Sequence, residues 1–268
     1  MYSTILQPTF GLESWQRIPW AYSIAMLLAV FVFFLVAWVR PAKNATPKLP
    51  AFERWTLIAA AFIGGTLGGK LPFVLAQGQW WSLEPWFMNG KTITTGLMGA
   101  YVMVELVKAI QGIRIKTGDR FALPLAAAFA VGRWGCFFNG CCFGVPSNLP
   151  WAVSFEGIEG LRHPTQVYEA LFHTICFAIL WWITIRGYWL RHQLQLYLIV
   201  YCGFRFVTEW IRPEPEVLLR LTFYQWAVLG FAALLVTQWM LETRVADKGE
   251  SDSKPRMTEE LRSQEAEK

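Results

Sequence analysis

Charge is scarce in this sequence. Of 268 residues, 24 are Lys or Arg and 19 are Asp or Glu, together 16% of the chain. Soluble domains carry about 25% charged residues, so the composition points away from a soluble globular class. No nucleic-acid motif is present, and the net charge of +5 therefore does not indicate a nucleic-acid partner. No two cysteines have CxxC spacing. The five are Cys136, Cys141, Cys142, Cys176 and Cys202; the number is odd, and two lie deep in apolar runs, which argues against a disulfide framework. There is no internal repeat, and so no sign of an inverted-repeat transporter. No Lys or Arg precedes Arg17, and no small-residue cleavage site follows the first apolar run. That run is expected to be a retained span, not a signal peptide.

Apolar surface is what the chain has in excess. It is 54% hydrophobic and 16% aromatic, with a mean hydropathy of +0.33. Its 15 tryptophans belong to a residue type that collects at membrane interfaces. A helix of about 20 apolar residues crosses a bilayer. Seven segments qualify: Trp20–Val39, Trp55–Gln77, Thr92–Ile113, Phe121–Phe138, Pro164–Ile185, His192–Trp210 and Thr222–Leu241. Charges interrupt the fourth and sixth. The expected fold is an all-α integral membrane protein with seven transmembrane helices over residues 1–241. A charged cytoplasmic tail, disordered or loosely helical, follows over residues 242–268.

Orientation follows from Lys and Arg in the short loops. The loops after the first, third and fifth spans hold Arg40, Lys43, Lys48, Arg54, Arg114, Lys116, Arg120, Arg186 and Arg191. The other side holds Arg17, Lys91, Arg162, Arg212 and Arg220. The first group is expected to be cytoplasmic, with the N-terminus outside and the C-terminus inside.

Ionisable residues inside a membrane are costly and point to function. With this topology, Lys70, Thr94, Thr95, Arg133, Cys136, Asn139, His163, Gln166, Glu169, Arg205, Glu209 and Arg212 come from five spans, yet all fall in the outer half of the membrane. Glu105 and Lys108, near the inner end at i, i+3, are expected to pair with each other. The convergence predicts a polar chamber holding at least Lys70, Arg133 and Arg205. A cationic chamber calls for an anion, and the guanidinium fork suits phosphate. Phospholipid headgroups are the phosphates available at that depth. Arg205, Glu209 and Arg212 follow i, i+4, i+7 spacing on one helical face.

Each of these residues also has a plainer reading. Arg212 and Arg162 can be interface residues, Lys70 can snorkel, and Arg205 with Glu209 can be a structural ion pair. Arg133 can be structural, His163 can cap a helix, and the glycines can serve close helix packing alone. A redox or metal site at Cys136, Cys141 and Cys142 is a further class. Adjacent cysteines point in different directions, which argues against it, and no metal is expected.

At these residues the chain resembles a known family. "GRWGCFFNGCCFG" (132–144) is similar to the signature G-R-x-G-N-F-x-N-x-E-x-x-G of the prolipoprotein diacylglyceryl transferases. "RHPTQVYEAL" resembles the family's R-H-P-[ST]-Q-L-Y-E segment, "YCGFRFVTEWIRPEPE" its Y-G-x-x-R-F-x-x-E-x-x-R segment, and "GGKLPFVL" its G-G-R-x-G-Y-V-L segment. The resemblance covers Trp20 to Leu241.

The resemblance implies an enzyme that moves the diacylglyceryl group of phosphatidylglycerol onto the lipobox cysteine of a preprolipoprotein. It implies no cofactor and no metal. The implied partners are phosphatidylglycerol, the lipobox segment and membrane lipids, with no nucleic acid. The implied location is the bacterial inner membrane, multi-pass, with the active side facing the periplasm. Arg133 and Arg205 match arginines that hold the lipid phosphate, and Glu209 and Arg212 match the acidic and basic positions that follow; Arg133, Arg205 and Glu209 are the implied catalytic residues. The implied lipid-binding residues are Lys70, which stands where the family has Arg, with Thr94, Asn139, Gly140, Gly144, His163, Gln166 and Arg212.

Besides Lys70, three positions depart from the pattern. Thr94 stands where the family's third span has a histidine assigned as base, Cys136 replaces a signature asparagine, and Cys141 replaces the signature glutamate. The chain reads as a divergent paralogue. The alternatives are an anionic-phospholipid-binding or headgroup-transferring protein with another acceptor, and an inactive paralogue.

Overall fold

The computed structural model describes residues 18–40, 49–76, 86, 92–189 and 191–266. It is mostly helical. The helices are α1 (Pro19–Val39), α2 (Ala51–Ala76), α3 (Ile93–Ile110), α4 (Asp119–Phe138), α5 (Thr165–Arg186), α6 (Gln193–Thr208) and α7 (Phe223–Ala266). Two short antiparallel hairpins were not foreseen from the sequence. One pairs β1 (Val153–Ser154) with β2 (Leu161–Arg162), the other β3 (Glu216–Leu218) with β4 (Leu221–Thr222).

Among the described residues, six helices are long and apolar enough to cross a membrane. The expected sixth span is the exception. Its helix, α6, has 16 residues, about 24 Å at ~1.5 Å per residue, against an apolar slab of about 30 Å. A 3-10 turn, Glu209–Ile211, extends it. This is the segment whose apolar run is broken by Gln193, Gln195 and Arg205, and all three are buried.

Burial is arranged inside out. Leu27, Phe31, Phe34 and Trp38 on α1 and Phe52 and Phe62 on α2 are exposed, whereas Lys70, Arg133, Glu169, His173, Arg205 and Glu209 are buried. That is the pattern expected where the surroundings are lipid and the polar groups must satisfy one another. The protein is a multi-pass membrane protein.

Helices pair as α1 with α4, α2 with α3, α4 with α5, and α6 with α7. The α2–α3 contact depends on missing side chains: a Cβ on Gly68 would stand 3.0 Å from Gly99 Cα and closer still to the Thr95 carbonyl. Small residues of this kind let helix backbones meet where no hydrophobic effect drives them together. The apolar core lies between α4, α5, α6 and α7, around Leu123, Leu180, Leu198 and Leu235.

Polar groups sort to the two ends of the bundle. At one end Asp119 Oδ1 accepts from Gln193 N at 2.9 Å, Arg40 Nη1 donates to the Asp119 carbonyl at 3.1 Å, and Lys116 pairs with Glu242. Lys108 and Glu105 form the expected i, i+3 pair at 2.8 Å. The opposite end holds the C-termini of α4 and α6, the N-termini of α3 and α5, and the loops between them. The candidate site lies there.

Candidate active site

Four helices contribute side chains. Arg133 lies near the end of α4, Gln166, Glu169 and His173 follow one face at the start of α5, and Tyr197, Tyr201 and Arg205 follow one face of α6. Thr94 lies in the first turn of α3. The 3-10 turn adds Glu209, and Arg212 comes directly after it.

Glu169 is the hub of the cluster. Its two carboxylate oxygens face two different arginines: Oε2 pairs with Arg133 Nη2 and Oε1 with Arg212 Nη2. It is 1% exposed. Arg205 forms a second pair, Nη2 to Glu209 Oε2 at 2.7 Å, using the i, i+4 spacing across the end of α6. Glu209 Oε1 accepts from Thr222 Oγ1 at 2.9 Å. Arg205 Nε donates to Thr94 Oγ1 at 3.3 Å, and the Thr94 hydroxyl meets Tyr201 Oη at 3.1 Å. The Arg205 guanidinium also lies over the Tyr224 ring, 5.4 Å from its centroid.

Three guanidiniums against two carboxylates leave this cluster one positive charge in excess. The hydrogen bonds are also not exhausted. Arg133 Nε, Arg205 Nη1 and Arg212 Nε are buried N–H groups with no hydrogen-bond partner, as is the Gln166 carbonyl oxygen. Buried donors are almost always paired in native proteins. Three arginines that each keep a donor unspent, in an environment of low dielectric, have the chemistry to donate to a multivalent oxyanion.

The signature loop closes one side. Asn139 caps α4, and Gly140 follows with φ +66°. The loop is anchored by backbone bonds from Gly144 N to the His163 carbonyl at 2.8 Å and from Val145 N to the Ile211 carbonyl at 2.9 Å. Gly144 is required by that packing, since a Cβ would lie 2.5 Å from the Ile211 oxygen and 2.8 Å from His163 Cβ. Gln166 Nε2 and Thr165 Oγ1 donate to the carbonyls of Cys141 and Cys142. In this loop the neighbouring Cys136 and Cys142 thiols, then the Asn139 side chain and the Arg133 charge, hold the Cys141 thiol well below its usual range.

The structure therefore brings Arg133, Arg205, Glu209, Arg212 and Thr94 into one network. Arg212 is a member of the ion cluster rather than a free interface cation. Lys70 is buried rather than extended into solvent; the neighbouring Gly69 carbonyl accepts from Thr92 N at 3.0 Å, level with the start of α3. His163 is set apart on the rim, with Nδ1 3.2 Å from Tyr168 Oη. It does not cap α5, whose N-cap is Pro164 without a side-chain cap.

Glu169 was visible in the sequence as an outer-half polar residue, but nothing there signalled that it bridges two arginines. Tyr201 and His173 were missed, because single aromatic residues in an apolar helix look like core. His173 Nδ1 lies 2.8 Å from Tyr197 Oη, its ring centroid is 5.3 Å from that of Tyr201, and its Nε2 is buried without a partner.

A sequence model of the prolipoprotein diacylglyceryl transferase family matches residues 14–241. A phosphatidylglycerol–prolipoprotein diacylglyceryl transferase of Bordetella avium is 33% identical over 210 residues, covering 75% of this chain and 79% of its own. Proteins of the same name from Methylococcus capsulatus and Nitratidesulfovibrio vulgaris are 29% and 28% identical, covering 80% and 83% of this chain and 84% and 90% of their own. With that match, and with Arg133, Glu169, Arg205, Glu209 and Arg212 of the quoted motifs meeting in one buried cluster, the chain belongs to the prolipoprotein diacylglyceryl transferase family.

Proposed function

We propose that this protein transfers the diacylglyceryl group of phosphatidylglycerol to the lipobox cysteine thiol of a preprolipoprotein. The observation that carries the reading is the set of three buried arginines with one excess positive charge and an unspent N–H on each. In this reaction the thiolate sulfur attacks the glycerol carbon that bears the phosphate. A C–S bond forms, the C–O bond breaks, and glycerol phosphate leaves with the electron pair. Negative charge gathers on the phosphate oxygens as the bond breaks. Fixed guanidiniums stabilise that charge without reorganising, the largest kind of contribution a site can make.

Arg133 and Arg205 bind the phosphate, and Arg212 adds the third cation. Thr94 with Tyr201 orients Arg205. Glu209 faces one arginine, whereas Glu169 faces two, so Glu209 is the carboxylate freer to accept the thiol proton. Lys70, Asn139, Gly140, Gly144, His163 and Gln166 line the lipid's approach. Seven spans, an outside N-terminus and a cytoplasmic segment from residue 242 agree with the Lys and Arg count of the short loops. The site then faces the periplasm from the bacterial inner membrane, where lipobox segments emerge.

A second reading keeps the lipid and changes the acceptor; Thr94, in place of the family's histidine, favours it. The test is complementation of a strain depleted of its own transferase, with mass spectrometry of a lipobox peptide incubated with phosphatidylglycerol. The wild type restores growth and adds the diacylglyceryl mass; Arg133→Ala and Arg205→Ala do neither. An expressed wild type that modifies no lipobox peptide rules the acceptor out.

A further inference from the structure

We propose that Cys136, Cys141 and Cys142 form a three-thiolate binding site for a soft d10 cation, monovalent copper in preference to zinc. The three Sγ atoms all lie within 4.8 Å of one another, and those of Cys141 and Cys142 are 3.9 Å apart. Metal–thiolate bonds of about 2.3 Å put two sulfurs on one ion roughly 3.8–4.0 Å apart. The cluster is thus close to the dimensions of a loaded site. All three thiols are free, not joined in a disulfide.

Sequence alone argues against such a site, because neighbouring side chains diverge. The backbone removes that objection. Cys142 has φ +64°, a left-handed conformation that a non-glycine residue adopts at a cost. It follows Gly140 at φ +66°, and together they fold the loop back on α4. The position is fixed from outside the cluster: Cys141 N donates to the Cys136 carbonyl at 3.2 Å, and Gln166 and Thr165 hold the next two carbonyls from α5. Strain held by its surroundings at three converging thiols is the arrangement expected of a ligand site.

The chemistry selects the ion. Thiolates are soft ligands that favour Cu(I) and Zn(II). Among the described residues no His, Asp or Glu joins the group. Three ligands suit trigonal Cu(I), whereas zinc wants a fourth. Cys136 is buried and Cys142 exposed, which gives the ion a way in. On the inner side Phe137 packs with Phe155, and Phe155 stacks on Phe143 at 5.5 Å. A bound ion would staple the loop whose Gly144 and Val145 seat against the site.

The test uses the full chain, purified in detergent, reduced and freed of metal. Cu(I) is titrated anaerobically against bicinchoninate, and Zn(II) against a pyridylazo dye. The expected result is one equivalent of Cu(I) per chain, held more tightly than zinc. In the wild type, Cu(I) shields Cys136, Cys141 and Cys142 from maleimide, while Cys176 and Cys202 react as before; mass spectrometry after denaturation reads this. Cys136→Ser, Cys141→Ser and Cys142→Ser each weaken binding by about 100-fold or more, and Cys176→Ser leaves it unchanged. The shielding needs no variant, so a misfolded mutant does not decide the outcome. Absence of a one-to-one complex, or shielding that misses these three thiols, overturns the proposal. Neither readout involves lipid or acceptor, so failure here leaves the transferase reading standing, and the reverse.

Discussion

Replacing Glu169 by Gln tests whether the ion cluster holds this bundle together. The carboxylate is 1% exposed and divides its oxygens between Arg133 and Arg212. Glutamine keeps the shape and removes the charge. Two buried guanidiniums then face an amide that offers one acceptor where two were needed. Removing one partner of a buried ion pair costs about 3–5 kcal/mol, because the other charge stays buried and uncompensated. A folded chain is stable by roughly 5–15 kcal/mol, so a large share of the total is at stake. At about 2–4 °C per kcal/mol for a chain of this size, the unfolding midpoint should fall by about 10 °C. Tryptophan fluorescence during thermal unfolding in zwitterionic detergent reads it directly. Phosphatidylglycerol added to the variant should recover part of the loss, since its phosphate offers the arginines a new counter-charge, while phosphatidylcholine should recover less. A loss below about 1 kcal/mol, the scale of an exposed ion pair, would refute the claim that Glu169 is the electrostatic hub.

Two further substitutions probe the parts around that hub. Thr94→Val removes the hydroxyl shared by Arg205 Nε and Tyr201 Oη; a buried donor left unpaired costs about 1–3 kcal/mol, so lipobox modification should slow about 10- to 100-fold, with Thr94→Ser close to wild type in the same mass-spectrometric assay. Gly144→Ala puts a Cβ 2.5 Å from the Ile211 oxygen and 2.8 Å from His163 Cβ; overpacking of about 1–3 kcal/mol should break the 2.9 Å bond from Val145 N to that oxygen, read as faster amide exchange at Val145 and a lowered midpoint.

The residues of the candidate site stood out in the sequence for one physical reason. A charge in an apolar run is expensive in lipid, so Arg133, Arg205 and Glu209 were conspicuous, and alternating the direction of successive apolar runs was enough to bring them to one end of the bundle. What the sequence did not carry is pairing. On spacing alone Glu209 can meet Arg205 or Arg212; in the structure the helix ends at Thr208, the tightened turn keeps Glu209 beside Arg205, and Arg212 pairs with Glu169. The shortness of α6 has the same origin. Its buried Gln193 and Gln195 are held by contacts at the far end of the bundle, so its polar residues lie in protein rather than lipid. The signature cysteines show the limit most sharply. Their spacing is uninformative until φ at Cys142 turns positive, and no local residue preference predicts that. Yet the turn sits within the loop that Gln166, on the face that carries Glu169, holds by a backbone carbonyl. Thr165, Gln166 and Glu169 thus place, within about one turn of one helix, the two side chains that hold the loop's carbonyls and the carboxylate that bridges Arg133 and Arg212.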